Sequence, residues 1–245
     1  TDKTTPVNKV DSIIRANPSE INAYKKLGIS CVTLANNHSG DYGPDSLQET
    51  ITVLTNNGIS CFGASATGKE DIQKEYRVER NGKKIVFYNV AETMFNTGRQ
   101  KVFVNLYDEY RVCKELQEIK KDCDYLIVLY HGGMEFYWYV TPELKKRFHR
   151  MADSGADMVL AQHTHCITAK ENYNGSYLLY GQGDFHFALG NMDRLYKKYG
   201  LLLELVVGDT IEVTEHLVCH PESRATCVSM SEFEDYEKRN QRMIN

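Results

Sequence analysis

The feature of this sequence that most constrains its fold is a recurring order of helix, small-residue break and short β-branched strand. Four such units follow one another along the 245 residues. In the first of them, a helical segment ends at Gly28 and an apolar strand follows. The predicted helices cover 18–27, 44–57, 106–121 and 141–153, and the strands after them cover 29–35, 59–62, 125–130 and 156–161. Helices that alternate with continuously apolar strands predict a mostly parallel sheet covered by helices.

Further strands lie outside these four units. Asn81-Gly82 separates two alternating segments, 76–80 and 84–90, and predicts a β-hairpin. Strands are also predicted at 177–180, 201–207 and 211–218. This β-rich second half favours a two-sheet α/β sandwich over one doubly wound sheet. We expect a single domain over residues 1–220, followed by a polar tail at 221–245.

Charge and hydropathy exclude several functional classes. The formal net charge is −4, and the basic clusters are scattered and interleaved with acids, so no nucleic-acid partner is predicted. The longest apolar runs, such as 201–207, are far too short to span a bilayer, and we expect no charged-then-apolar leader in the sequence as given. As given, the chain is expected to be soluble, and the parent protein is either cytoplasmic or anchored and extracellular.

Cysteine usage favours reduced thiols. Seven cysteines are an odd number, none of them has CxxC spacing, and several lie inside apolar strand-like runs. Buried, reduced thiols are therefore preferred over a disulfide framework.

Three of the apolar strands are followed by histidines. His38 follows the first strand, His131 ends another, and His163 and His165 follow a third. Because the carboxyl ends of parallel strands meet at one edge of a sheet, these segments can converge. Residues two apart on an extended segment project to the same side, so His163 and His165 can face one centre. Three imidazole nitrogens suit Zn, Mn or Fe, and we predict a divalent metal site.

Other readings of these segments stay open. A single histidine at a strand end is often an ordinary core or surface residue. Cys166 is expected to point away from the histidines and to pack in the core. The aromatic stretch 134–139 could wall a substrate cleft, or it could pack against the following helix.

Several motifs, in their order and spacing, resemble the CapA (PGA_cap) family of capsule and poly-γ-glutamate biosynthesis. They are Ala35-Asn-Asn-His38 with Asp41-Tyr-Gly43, His131-Gly-Gly-Met-Glu135 with Pro142 behind it, Ala156-Asp157 leading to His163-Thr-His165, and Gly183-Asp-Phe185. The resemblance covers about residues 18–207. That family is similar to the calcineurin-like metallophosphatases, so the resemblance implies a two-sheet α/β sandwich of the metallophosphatase type, with a pair of divalent metal ions at the strand ends.

The resemblance also implies roles for individual residues. Asn37 resembles an amide-oxygen metal ligand, and His38 resembles the catalytic acid or phosphate-contacting residue beside it. His131 and His163 look like ligands of one ion, and His165 looks like a ligand of its neighbour. Glu135 matches a family carboxylate and is a catalytic candidate. Asn36, Asp41 and Tyr42 match positions that shape the loop, and a plain helix-entry turn is the alternative for residues 41–43.

The sequence departs from the family pattern in two places. Asp184 stands where the family usually has asparagine, and its carboxylate could bind a cation or cap a turn. The Gly-Asp and Asn-x-Glu motifs that open the family are not found in residues 1–17. We therefore expect this chain to lack the first strand and the acidic metal ligands, and to bind one or two ions weakly.

The expected function is metal-dependent hydrolysis with phosphoesterase-type chemistry, in which bound metal activates water and His38 assists the leaving group. The alternative is a non-catalytic component that binds polymer or assembles the capsule synthesis machinery. The implied partners are an anionic small-molecule or polymer substrate and the membrane subunits of capsule synthesis.

Overall fold

The computed structural model describes residues 5–7, 12–93, 102–186, 199–219 and 226–227. A 3₁₀ turn at Pro18–Glu20 leads into α1 (Ile21–Lys26), and the longer helices are α2 (Gly43–Asn56), α3 (Glu109–Lys120) and α4 (Pro142–Asp153). The strands are β1 (Cys31–Thr33), β2 (Ser60–Phe62), β3 (Ala64–Ser65), β4 (Glu75–Arg80), β5 (Lys83–Ala91), β6 (Phe103–Val104), β7 (Tyr125–His131), β8 (Met158–Gln162), β9 (Lys170–Tyr173), β10 (Ser176–Leu179), β11 (Tyr199–Val207), β12 (Ile211–Cys219) and β13 (Thr226–Cys227). The chain divides into two compact units, the first comprising 1–76 and 87–108 and the second 77–86 and 109–245.

The first unit is built around a short βαβ arrangement. β1 and β2 pair in parallel, with Cys31 opposite Ser60, and α2 connects them. Pro44 occupies the first turn of α2, where its missing N–H costs no intrahelical hydrogen bond. The apolar side of α2 contributes to the buried core of this unit. The core consists of Leu34, Ala35, Leu47, Leu54, Ile59, Ala64, Ala91, Val102 and Val104.

The main sheet belongs to the second unit and has the strand order β4-β5-β7-β8-β10-β9, although β5 continues beyond Val86 into the first unit. β7, β8 and β10 are parallel. Helix α4 connects β7 to β8 and buries Leu144, Phe148 and Met151, which recur on one side of the helix. Thr141 caps α4 by accepting a hydrogen bond from the Leu144 amide. Parallel β7 and β8 therefore deliver the segments that follow them to the same edge of the sheet.

A second sheet of this unit is antiparallel. β11 and β12 pair over nine residues and join at Gly208-Asp209, as predicted, and β13 adds to β12. Within the described ranges, no helix is long and apolar enough to cross a membrane.

The predicted α/β architecture and the order of the elements are confirmed, with differences at the edges. The strand predicted at 29–35 forms only at Cys31–Thr33, and the first predicted helix starts as a 3₁₀ turn. β3, β6, β9 and β13 were not predicted; all of them except β9 have only two residues, and β9 is polar. Most of the predicted tail at 221–245 lies outside the described residues, so the boundary at 220 stays a prediction. The six cysteines whose side chains are described are free thiols.

Candidate functional site

The loops that follow β7 and β8 are hydrogen-bonded to each other. His131 at the end of β7 lies opposite Gln162 at the end of β8. Just beyond the strands, the Gly132 amide donates to the Gln162 carbonyl at 2.9 Å, and the Phe136 amide donates to the Thr164 carbonyl at 2.9 Å. The two histidine-bearing loops are thus held side by side by backbone hydrogen bonds.

Gly133 makes this close approach possible. Its φ of +105° lies in the left-handed region that L side chains rarely adopt. A Cβ at this position would also lie 2.9 Å from the Thr164 Cγ2 atom. Glycine at position 133 is therefore favoured both by its own backbone conformation and by the neighbouring loop.

Three histidines at the ends of β7 and β8, His131, His163 and His165, form one group. The ring centres of His131 and His163 are 5.0 Å apart, and those of His163 and His165 are 6.4 Å apart. Two imidazoles that bind the same ion at about 2.1 Å, at a tetrahedral angle, have ring centres roughly 5 Å apart. The separation between His131 and His163 fits such a shared ion, whereas the separation between His163 and His165 is wider. In the ranges that the structure describes, no three His, Cys, Asp or Glu side chains are grouped closely enough to hold an ion as they stand.

The backbone of these loops differs from the prediction. An extended segment was predicted at 163–165, but β8 ends at Gln162, and His163 and His165 have φ values of +107° and +57°. The prediction that these two side chains share a face is therefore wrong, because alternate side chains share a face only on extended backbone. Phe136 has φ of +57° as well. Non-glycine residues in this region cost about 1–3 kcal/mol each and cluster at functional sites.

Two carboxylates contact the histidine group. His163 Nε2 lies 3.5 Å from Glu135 Oε1. His165 Nδ1 lies 2.9 and 3.0 Å from the two carboxylate oxygens of Asp184. Asp184 was expected to bind a cation or to cap a turn, and in the structure it contacts His165. The available signal was the carboxylate in place of the usual asparagine.

Cys166 and the aromatic stretch 134–139, which are close to the histidines in sequence, differ in burial. Cys166 is fully buried, and burial, with the nearby charge of Asp184, raises the pKa of its thiol to about 12. The expected core packing is confirmed. In the aromatic stretch, Phe136 stacks on the His165 ring at 5.0 Å, whereas Tyr137 and Tyr139 are exposed. Because these two tyrosines are exposed, packing against α4 does not account for them, and the substrate-facing role stays a prediction.

The other candidates, Asn37 and His38, belong to the first unit. His38 Nδ1 lies 2.8 Å from Asp41 Oδ2, and the Asp41 side chain is only 1% exposed. The Ile14 amide donates to the same carboxylate oxygen at 2.8 Å. Asn36 Oδ1 accepts from the amide of His38 and so shapes the turn. The structure brings His38 together with Asp41, which the sequence analysis had assigned to loop shape.

The segment 41–43 is also the predicted helix-entry turn. α2 begins at Gly43 directly after Tyr42, so the turn and the contact of Asp41 with His38 coexist. Asn37 is buried at 8% exposure beside them, and its role as a metal ligand stays a prediction.

Comparison with known proteins agrees with the motifs. Residues 1–188 match the family described as bacterial capsule synthesis protein PGA_cap. The PGA biosynthesis protein CapA of Bacillus subtilis (strain 168) is 25% identical over 180 residues, which are 72% of this chain and 47% of that protein. The capsule biosynthesis protein CapA of Bacillus anthracis is 24% identical over 191 residues, 74% of this chain and 46% of that protein. The chain thus spans about half the length of these curated relatives.

A solved structure shows the same fold. A candidate 5′-nucleotidase from Staphylococcus aureus, crystallised with α-ketoglutarate, superposes with a TM-score of 0.58 at 14% identity, covering 91% of this chain and 43% of that chain. The fold class is α/β of the metallophosphatase type, as predicted. Because the match covers residues 1–188, well over half of the sequence, the chain belongs to the PGA_cap family of bacterial capsule synthesis proteins.

Proposed function

We propose that this chain is the metal-dependent hydrolase part of a capsule or poly-γ-glutamate biosynthesis protein, with phosphoesterase-type chemistry. The observation that carries the proposal is the 5.0 Å separation of the His131 and His163 rings, held on loops with left-handed backbone. Strain of this kind persists where the surrounding structure fixes a residue for a task. An anionic small molecule or polymer is the proposed substrate, and membrane subunits of capsule synthesis are the proposed partners.

The three imidazoles of the histidine group suit a divalent metal in their chemistry, and their side chains would have to approach one another to hold it. His131 and His163 would hold one ion, and His165 would hold an ion beside it. Imidazole-rich sets suit Mn, Zn or Fe. When bound, such a metal acts as a Lewis acid and lowers the pKa of its water toward neutrality. The roles of Asn37 and His38 in the first unit remain predictions from the family resemblance.

Glu135 is the protein group best placed for proton transfer in the second unit. Its carboxylate is partly exposed at 37% and lies 3.5 Å from His163 Nε2, so it reaches both solvent and the histidine group. A carboxylate in this position can accept the proton of an attacking water and return it to the leaving group. Tyr137 and Tyr139, whose rings are 5.6 Å apart, offer exposed apolar surface to a substrate.

The proposal is tested by hydrolysis of a generic phosphodiester and of a γ-glutamyl amide with Mn²⁺. Wild type, His131→Ala and His149→Ala are compared, because His149 lies on α4 and is paired with Glu171. We expect activity in wild type and His149→Ala and its loss in His131→Ala. Equal background rates in all three proteins would contradict a hydrolase.

The second candidate function is binding of polymer without hydrolysis. It is favoured by the exposed large apolar side chains next to the histidine group, Met134, Tyr137, Tyr139 and Phe185. Exposed aromatic rings of this kind are typical of binding surfaces. Poly-γ-glutamate should then bind in the presence of EDTA, and a Tyr137→Ala, Tyr139→Ala double variant should bind it less. Tyr110→Ala is the matched control, since Tyr110 is 79% exposed on α3.

A further inference from the structure

We propose that Asp184 is a positioning residue for His165, and that it fixes the imidazole tautomer in which Nε2 carries the lone pair available to a metal. The metal-binding part of this inference rests on the proposed function. The tautomer itself is a property of the metal-free protein and can be measured without any metal.

The hydrogen bonds define the tautomer. Both oxygens of Asp184 approach the same ring nitrogen, Nδ1 of His165, at 2.9 and 3.0 Å. A carboxylate only accepts hydrogen bonds, so Nδ1 must carry the proton. In a neutral ring the remaining nitrogen, Nε2, then has the lone pair. The side chains are 18% and 12% exposed, so water competes weakly for this contact.

The backbone of Asp184 is fixed by the first residues of β11. The Asp184 amide donates to the Tyr199 carbonyl at 3.3 Å, and the Leu201 amide donates to the Gln182 carbonyl at 2.8 Å. Gly200 is the residue that allows this approach, because a Cβ there would collide with the backbone of Asp184. The Asp184 carboxylate therefore extends from a backbone segment that is hydrogen-bonded to β11.

A second contact restricts the same imidazole. The Phe136 ring stacks on His165 with ring centres 5.0 Å apart and an angle of 19° between the planes. Phe136 is itself held by the hydrogen bond from its amide to Thr164. One contact restrains the plane of the ring, and the Asp184 hydrogen bond selects the orientation of the ring within that plane. Together they satisfy what a metal-binding histidine needs from its supporting residues.

A carboxylate does this differently from an amide of the same shape. Asparagine could still accept from Nδ1 through its oxygen, but it is neutral and carries two donor hydrogens that favour the opposite tautomer when the amide is reversed. A hydrogen bond to a charged acceptor is roughly twice as strong as a neutral one. Asp184→Asn should therefore retain part of the effect, and Asp184→Ala should retain none of it.

Nitrogen-15 NMR of the metal-free protein tests the proposal directly. Long-range correlations between ring protons and nitrogens identify which nitrogen of each histidine carries the proton, and His165→Ala assigns the signal. We expect His165 to be protonated at Nδ1 in wild type, to become a mixture of tautomers in Asp184→Asn, and to move to the Nε2-protonated form in Asp184→Ala. Asp184→Asn is isosteric and keeps the test valid if the alanine variant fails to fold.

Titration calorimetry with Mn²⁺ and with Zn²⁺ gives the second readout. Loss of a residue that supports a metal ligand weakens affinity by about 10–100-fold, so we expect Asp184→Ala to fall in this range and Asp184→Asn to lie between it and wild type. Glu171→Gln is the matched control, since it removes a carboxylate from another histidine of the same unit. It should change the His149 signal while His165 and the metal affinity stay unchanged.

The possible outcomes separate the two proposals. A His165 that is protonated at Nε2 in wild type, or whose tautomer does not respond to either Asp184 variant, would overturn the positioning role. Absence of metal binding in wild type together with the expected tautomers would contradict the proposed metal site and leave Asp184 as the residue that sets the His165 tautomer.

Discussion

The second unit holds histidines in two contrasting settings. His149 lies within regular helix α4, stacks on Tyr173 with ring centres 3.7 Å apart, and places Nε2 3.1 Å from Glu171. Glu171 also accepts from the Tyr180 hydroxyl at 2.9 Å. The strand-end group of His131, His163 and His165 instead includes two residues with left-handed φ. The group around His149 satisfies its own hydrogen bonds within regular secondary structure and is called the closed group below. The strand-end group is instead held in a strained backbone.

This contrast indicates which structural features distinguish a functional histidine from a structural one. Helix α4 positions His149 without backbone strain, and its contacts with Glu171 and Tyr173 are accounted for by stability alone. Holding His163 and His165 costs about 1–3 kcal/mol each, and the adjacent hydrogen bonds and packing must offset it. Backbone strain together with clustered imidazoles indicates a function. A contact between one imidazole and one carboxylate does not indicate one by itself.

The largest expected effect comes from removing a strand-end histidine. His163→Ala should lower metal-dependent hydrolysis by more than about 10²-fold and weaken metal binding, because the shared pair with His131 is lost. His149→Ala should keep both properties and lose about 1–2 kcal/mol of unfolding free energy, because the hydrogen bond to Glu171 disappears. Steady-state rates, titration calorimetry and urea unfolding measure the three quantities. An equal loss of activity in His163→Ala and His149→Ala would contradict the distinction between the two histidine groups.

The next effect concerns the loop contact at Gly133. Gly133→Ala should destabilise the protein by about 1–3 kcal/mol and should also reduce activity, because the new Cβ would push Thr164 and the histidines beside it. The control is Gly175→Ala in the turn between β9 and β10, where φ is +88° but nothing lies within 4 Å of the added Cβ. That variant carries only the backbone cost, about 1–2 kcal/mol. Thermal unfolding and rate assays compare them, and equal losses of activity would argue against the loop contact.

The sequence predicted those parts of the fold and site that depend on local patterns. The apolar run of β7, the Thr141 cap and the position of His131 at a strand end follow from periodicity and helix signals. The left-handed backbone of His163 does not, because it arises where the loop packs against Gly133. The contact between His165 and Asp184 joins residues nineteen positions apart, and its one sequence signal was the carboxylate in place of the family's usual asparagine. Strands of two residues, such as β3, are too short to have a period.

A smaller effect is expected from the closed group around Glu171. Burial by itself raises the pKa of Glu171, but the hydrogen bonds from His149 and Tyr180 and the charge of Lys145 outweigh it and hold the pKa below its usual range. A carboxyl group with a lowered folded-state pKa contributes stability above its unfolded pKa of about 4.3, and this contribution is lost as the pH falls through the folded value.

Glu171→Gln should therefore be less stable than wild type at pH 7 by about 1–3 kcal/mol, and the difference should narrow as the pH falls below about 4. Urea unfolding at a series of pH values measures it, with Asp184→Asn carried through the same series. A constant difference across that range would show that the hydrogen bonds do not lower the pKa of Glu171. Unchanged activity at pH 7 is expected, in keeping with a structural group.

The comparison also extends to the first unit, where burial should make a thiol unreactive without affecting the proposed activity. Burial, followed by the neighbouring thiol Cys61, raises the pKa of Cys31 to about 11 from its usual 9.0. These two cysteines lie on the paired strands β1 and β2. Because only the thiolate reacts, alkylation of Cys31 at pH 8 should be about 10²-fold slower in the native protein than after denaturation. Mass spectrometry of timed iodoacetamide reactions, with Cys31→Ala to assign the peptide, measures the ratio. Equal rates in both states would mean that burial does not suppress the reactivity of Cys31, and the contrast between closed and strained groups would then hold only for the second unit.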